Sequence, residues 1–91
     1  MAIKCIRCVL SGRVQGVFFR RSAQIKAAEL DIAGWACNLP DGRVEVLVCG
    51  TEVEIEAMRA WLWRGPPHAL VDDVTWEEVE IPRDLEGFEI R

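Results

Sequence analysis

Twice in this chain an alternating run of apolar residues gives way, within a few positions, to apolar residues spaced every three or four. The first switch separates Ile6, Cys8 and Leu10 from Phe19, Ala23, Ala27 and Leu30. The second separates Val44, Val46 and Val48 from Ile55, Met58 and Leu62. A period of two predicts a strand with one buried face, and a period near 3.6 predicts a helix packed along one stripe. Two such units in 91 residues leave room for one domain, residues 1–91.

The remaining segments order the elements. Ser11 to Gly16 reads as a loop, and the first helix ends before Asp31-Ile32-Ala33-Gly34. Trp35 to Leu39 reads as a short strand, and Pro40-Asp41-Gly42 as the turn that begins its hairpin partner at Arg43. Gly50 closes that strand. Thr51 is an N-cap, with Glu52, Glu54 and Glu56 near the positive end of the second helix. Val53, Ala57 and Trp61 broaden its apolar face, and Gly65-Pro66-Pro67 stops it. Val74 and Trp76 then keep one strand phase while Val79 and Ile81 keep the other, which predicts a bulge near Glu77 and Glu78. Phe88 and Ile90 read as a short final strand. The result is an α+β, ferredoxin-like split-βαβ sandwich: βαββαβ plus a short C-terminal strand, with two helices on one face of an antiparallel sheet.

Composition narrows the function. The net charge of −4 is a poor balance for general nucleic-acid binding, and no apolar run approaches the roughly 18 residues of a membrane span. Met1 to Arg7 contains no signal-peptide core, so a soluble cytoplasmic protein is expected. Yet Met1 to Ala28 holds six basic residues and no acidic one, while the rest holds five basic and fifteen acidic residues. A positive segment in an acidic chain points to an anion. Three of its bases, Arg13, Arg20 and Arg21, flank one glycine-containing loop. Gly12 and Gly16 allow that loop to turn successive N–H groups toward one point, and the following helix adds unpaired donors. Cations at a helix N-terminus oppose its dipole, so Arg20 and Arg21 break a local rule that a bound anion would restore. A plain glycine loop with exposed arginines satisfies the same pattern.

Other residues admit structural readings beside functional ones. Asn38 is common turn chemistry, or an amide that orients a water. Cys5 and Cys8 have a C-x-x-C spacing but point to opposite faces of a strand, so no metal site is expected. In this fold the first and third strands are antiparallel neighbours. Matching Ile6 with Val48, Cys8 with Val46 and Leu10 with Val44 sets Cys5 opposite Cys49. A disulfide and two free thiols both fit that register. His68, the only histidine, reads as a solvated loop residue, and Trp61, Trp63 and Trp76 as core and rim packing.

Gly12 to Arg20 (GRVQGVFFR), followed by Gly34 to Glu45 (GWACNLPDGRVE), closely resembles the two signature segments of the acylphosphatase family. The ending Gly87 to Arg91 (GFEIR) is similar to the C-terminus of that family, and the similarity runs along essentially the whole chain. The resemblance implies a hydrolase that cleaves the carboxyl–phosphate bond of acyl phosphates. It implies that Arg20 and the backbone amides of Gln15, Gly16, Val17, Phe18 and Phe19 hold the phosphate, and that Asn38 positions the attacking water. Arg21 and Cys37 flank those residues at positions where the family varies. The substrate is a small acyl phosphate, inorganic phosphate or sulfate should inhibit, and no cofactor, metal, nucleic acid or membrane is expected of what should be a monomer. A non-catalytic ferredoxin-like module that binds an anion or a partner protein is the alternative.

Overall fold

The two apolar triplets face each other. In the computed structural model, which describes residues 2–91, Ile6 pairs with Val48, Cys8 with Val46 and Leu10 with Val44. Their strands, β1 (Lys4–Arg13) and β3 (Val44–Gly50), are antiparallel and lie inside a five-stranded sheet. β2 (Ala33–Asn38) pairs with β3, and β4 (Leu70–Val79) with β1, both antiparallel. β5 (Phe88–Ile90) lies parallel to β2 at the far edge, so the sheet is mixed rather than wholly antiparallel. The strand order is β4-β1-β3-β2-β5. Helix α1 (Phe19–Glu29) packs on β2 and β5, and helix α2 (Glu52–Arg64) on β3 and β4. This is the ferredoxin-like arrangement.

One core cluster joins the facing triplets to Phe19, Ala23 and Ala27 of α1 and to Ile55, Met58 and Leu62 of α2. Phe19 is buried with its ring centroid 5.6 Å from that of Trp61, which ties the start of α1 to α2. Burial of such a ring contributes roughly 1.5–3 kcal/mol. The apolar face of α2 is narrower than its sequence implies, because Val53 is 80% exposed. A capping box closes its N-terminus. Thr51 Oγ1 accepts from Glu54 N at 3.4 Å, and Thr51 N donates to Glu54 Oε1 at 2.8 Å.

The other face of the sheet carries a second, smaller cluster of Cys5, Leu47 and Cys49, against which Trp35, Val79 and Leu85 pack. Cys5 and Cys49 are directly paired in register and joined as a disulfide. This cluster corrects the expected bulge at Glu77 and Glu78, where the β1–β4 register is continuous. Val74 packs on the helix-side core and Val79 on the disulfide side, so the phase change marks burial on both faces. The register shift sits instead between Ser11 and Gly12, which pair with Asp73 and Val71. Pairing with β4 also carries β1 through Arg13, into residues read as loop from their composition. β4 ends at Val79, and Ile81 is exposed rather than part of a strand. Trp63 and Trp76 are half-exposed, and the Arg59 guanidinium lies 4.3 Å over the Trp76 ring.

Candidate active site

β1 and α1 are joined by a loop whose apolar members anchor it. Val14 and Val17 are buried in the core, while Gly16 (φ 73°) and Phe18 (φ 61°) adopt left-handed backbone between them and the helix. Phe18 is the N-cap of α1, its carbonyl accepting the first helical bond from Ser22 N at 3.0 Å. A phenyl ring has no acceptor for the first-turn amides, and the first turn of α1 has no acidic residue. The amides that open α1 therefore lack intrahelical partners. The two helices contrast: α2 begins with a capping box and two glutamates, whereas α1 begins uncapped with Arg20 and Arg21 in its first turn.

Arg20 is held from behind. One guanidinium nitrogen donates to the main-chain oxygen of Arg91 at 2.9 Å. Arg91 is in turn fixed to the sheet by its N–H, which donates to Ala36 O at 2.8 Å. Gln24 of α1 adds a bond from its carboxamide to Phe88 O at 3.0 Å. The end of β5 thus sets where the guanidinium stands.

Asn38 ends β2, opposite Val44. Alternation along β2 puts it on the same face as buried Gly34 and Ala36, the side covered by α1. The hairpin beyond it is braced twice. Asp41 accepts from Arg43 N at 3.1 Å and from Arg43 Nε at 2.7 Å. The Arg43 main-chain N–H and then its guanidinium hold the Asp41 carboxyl below the ordinary carboxylate range. The Gln15 carboxamide reaches across from the loop to donate to Leu39 O at 2.9 Å and Arg43 O at 3.0 Å.

These elements enclose a cavity of about 290 Å³. Arg20 and Asn38 both line it, with Gln15, Gly16 and Phe18 from the loop and Phe19 from the start of α1. Val17 does not line it, because its side chain is buried in the core. Arg21 and Ile90 complete the wall together with Val14. Ile90 and the Arg91 contact were not expected from sequence, since they depend on how a three-residue strand pairs some fifty positions from its neighbour β2. Cys37 faces away from the cavity, and its thiol donates to Glu45 Oε1 at 3.7 Å. Burial and the Glu45 carboxylate push this thiol above its usual range, with Arg91 and Arg20 opposing. His68 is exposed after α2 and does not line the cavity. Among the described residues no group of three or more His, Cys, Asp or Glu is arranged to hold a metal ion.

A family model described as Acylphosphatase matches residues 6–90. A protein named Acylphosphatase from Nitrosococcus oceani is 54% identical over 89 residues, covering 98% of this chain and 99% of that one. The solved structure of an acylphosphatase from Coxiella burnetii superposes with a TM-score of 0.91 at 46% identity, covering 98% of this chain and 93% of that one. The crystal structure of acylphosphatase from Bacillus subtilis gives the same TM-score at 34% identity, over 97% and 98% of the two chains.

Proposed function

The chain belongs to the acylphosphatase family and hydrolyses acyl phosphates, and from that premise we propose that Arg20 and the loop amides hold the phosphate while Asn38 aims the water. The observation that carries this reading is the shared cavity: a guanidinium, an uncapped helix start and a carboxamide converge on one space. The substrate is a mixed anhydride whose leaving group is a carboxylate, stable without protonation, so the reaction needs no general acid. The proton of the attacking water passes to a phosphate oxygen of the substrate. Positioning and charge stabilisation remain for the protein. Arg20 and the amides of residues 15–19 neutralise the equatorial oxygens, and the Asn38 amide holds water in line with the departing carboxylate.

We read the chain as one domain over residues 1–91 that acts as a cytoplasmic monomer. No helix in the described residues is long and apolar enough to cross a membrane. The exposed edge strand β4 carries Asp72, Asp73, Glu77 and Glu78, charges that oppose edge-to-edge pairing of two copies. Inorganic phosphate and sulfate should compete with substrate for the Arg20 site.

The test is hydrolysis of benzoyl phosphate without added metal. Arg20→Ala should lose both phosphate inhibition and turnover, while Asn38→Ala should lose turnover by roughly 10²–10³ and keep phosphate inhibition. Wild-type rates from either variant, folded by circular dichroism, would reject these roles.

A further inference from the structure

Phe18 departs from the usual choices at three levels at once. Its backbone is left-handed (φ 61°, ψ 29°), a conformation that bulky L-residues rarely adopt. Its ring is 82% exposed, so the side chain gains nothing from burial in the fold. It occupies an N-cap, where Ser, Thr, Asp or Asn would satisfy a helix amide and phenylalanine satisfies none. Two residues earlier the same loop solves the same backbone requirement with Gly16. Phe18 lines the cavity, and so does Ile90, a second apolar side chain left 41% exposed on a different element. Concentrated departures from local stability rules in a cavity wall point to a ligand as the compensation.

The wall is divided in character. Arg20, Arg21, Asn38 and the loop amides are polar, whereas Phe18 and Ile90 are apolar and solvent-facing. An acyl phosphate is divided in the same way, into a phosphoryl dianion and an acyl body. We propose that Phe18 and Ile90 form the contact for the acyl body and make this enzyme selective for acyl phosphates with aryl or branched aliphatic groups over those with small or charged ones. This rests on the cavity being the active site. The exposed ring then acquires a partner only when substrate binds, by offset stacking on an aryl group or by apolar contact with an aliphatic one.

The experiment compares kcat/KM for benzoyl phosphate and acetyl phosphate in wild type, Phe18→Gly, Phe18→Tyr and Ile90→Ala, with thermal midpoints for each. Phe18→Gly should lower the benzoyl-to-acetyl ratio about tenfold, the scale of discrimination that a small apolar contact supplies. Its thermal midpoint should equal or exceed that of wild type, because glycine accepts this backbone and the lost ring was exposed. Phe18→Tyr should restore most of the ratio, and Ile90→Ala should lower it in the same direction. Equal losses on both substrates, or a lowered midpoint in Phe18→Gly, would mean that Phe18 serves the loop and would overturn the proposal. A wild type active on both substrates with a ratio that none of the variants moves would overturn it while leaving the active site in place. A wild type inactive on both would overturn the active-site reading and this inference with it.

Discussion

The Gln15 carboxamide donates to the Leu39 carbonyl at 2.9 Å, so the loop before α1 and the hairpin that carries Asn38 are tied by a side chain. The same nitrogen reaches Arg43 O at 3.0 Å, spending both of its hydrogens on one turn.

Removing this tie should loosen Asn38 relative to Arg20. Gln15→Ala is expected to cost about 1–2 kcal/mol of stability and to lower kcat by roughly tenfold. Gln15→Glu should be worse, since a carboxylate presents lone pairs to two carbonyls. Denaturant unfolding and steady-state kinetics on both variants check this. A Gln15→Glu protein as active as wild type would show that the tie has no bearing on turnover.

Gly34 should not tolerate a side chain. Its φ is 154°, and a Cβ there would lie 1.8 Å from Leu47 O and 3.4 Å from the Phe88 ring. Its N–H also donates to Gly87 O at 2.9 Å. Gly34→Ala is expected to cost more than about 2 kcal/mol and to lower the melting temperature by roughly 10 °C. Because β5 leads to the Arg91 oxygen that holds Arg20, surviving folded protein should also be less active. Calorimetry and turnover at a temperature well below the new midpoint separate the two effects.

The Cys5–Cys49 bridge closes a separation of 44 residues, worth about 4 kcal/mol in the chain-entropy model. Both sulfur-bearing residues are buried and Leu85 packs over them, so reduction of the folded protein should be slow. Denatured, unreduced protein should show two thiols, Cys8 and Cys37, and four after reduction. Reduction should shift the denaturant midpoint downward. Four thiols without reductant would show that the pair stays open in solution.

Stability should fall above pH 9. Burial pushes the Cys8 thiol up to about 11 from an ordinary value near 9, and Arg59 opposes this only in part. The folded state therefore keeps the proton that the unfolded chain releases. Its contribution is whole below pH 9 and is lost as pH rises toward 11. Unfolding free energies of wild type and Cys8→Ala, measured from pH 8 to 11, should converge with rising pH. Parallel curves would exclude Cys8 as the source.

The β1–β3 register was legible because three apolar residues on each strand admit one pairing with both sets facing the helices, and that pairing also sets Cys5 against Cys49. Arg20 was singled out by motif and local charge and Asn38 by the motif alone, and the two line one cavity. What the chain hid is long-range. Nothing near Ile90 or Arg91 announces a parallel pairing with β2, and Gln15 carries no local sign that its carboxamide crosses to another turn. The bulge was misplaced because Val79 looked out of phase for a one-sided sheet, whereas this sheet also buries a patch around its disulfide.

The bare start of α1 puts thermal robustness and chemistry in competition at a single position. The left-handed backbone of Phe18 also differs from the extended backbone from which Thr51 caps α2, so an aspartate at position 18 could not simply copy that seal. On the proposed reading it would bring a fixed negative charge to the rim of the cavity that Arg20 lines, in competition with any phosphoryl group. A relative with that replacement should therefore bind inorganic phosphate more weakly than this protein does.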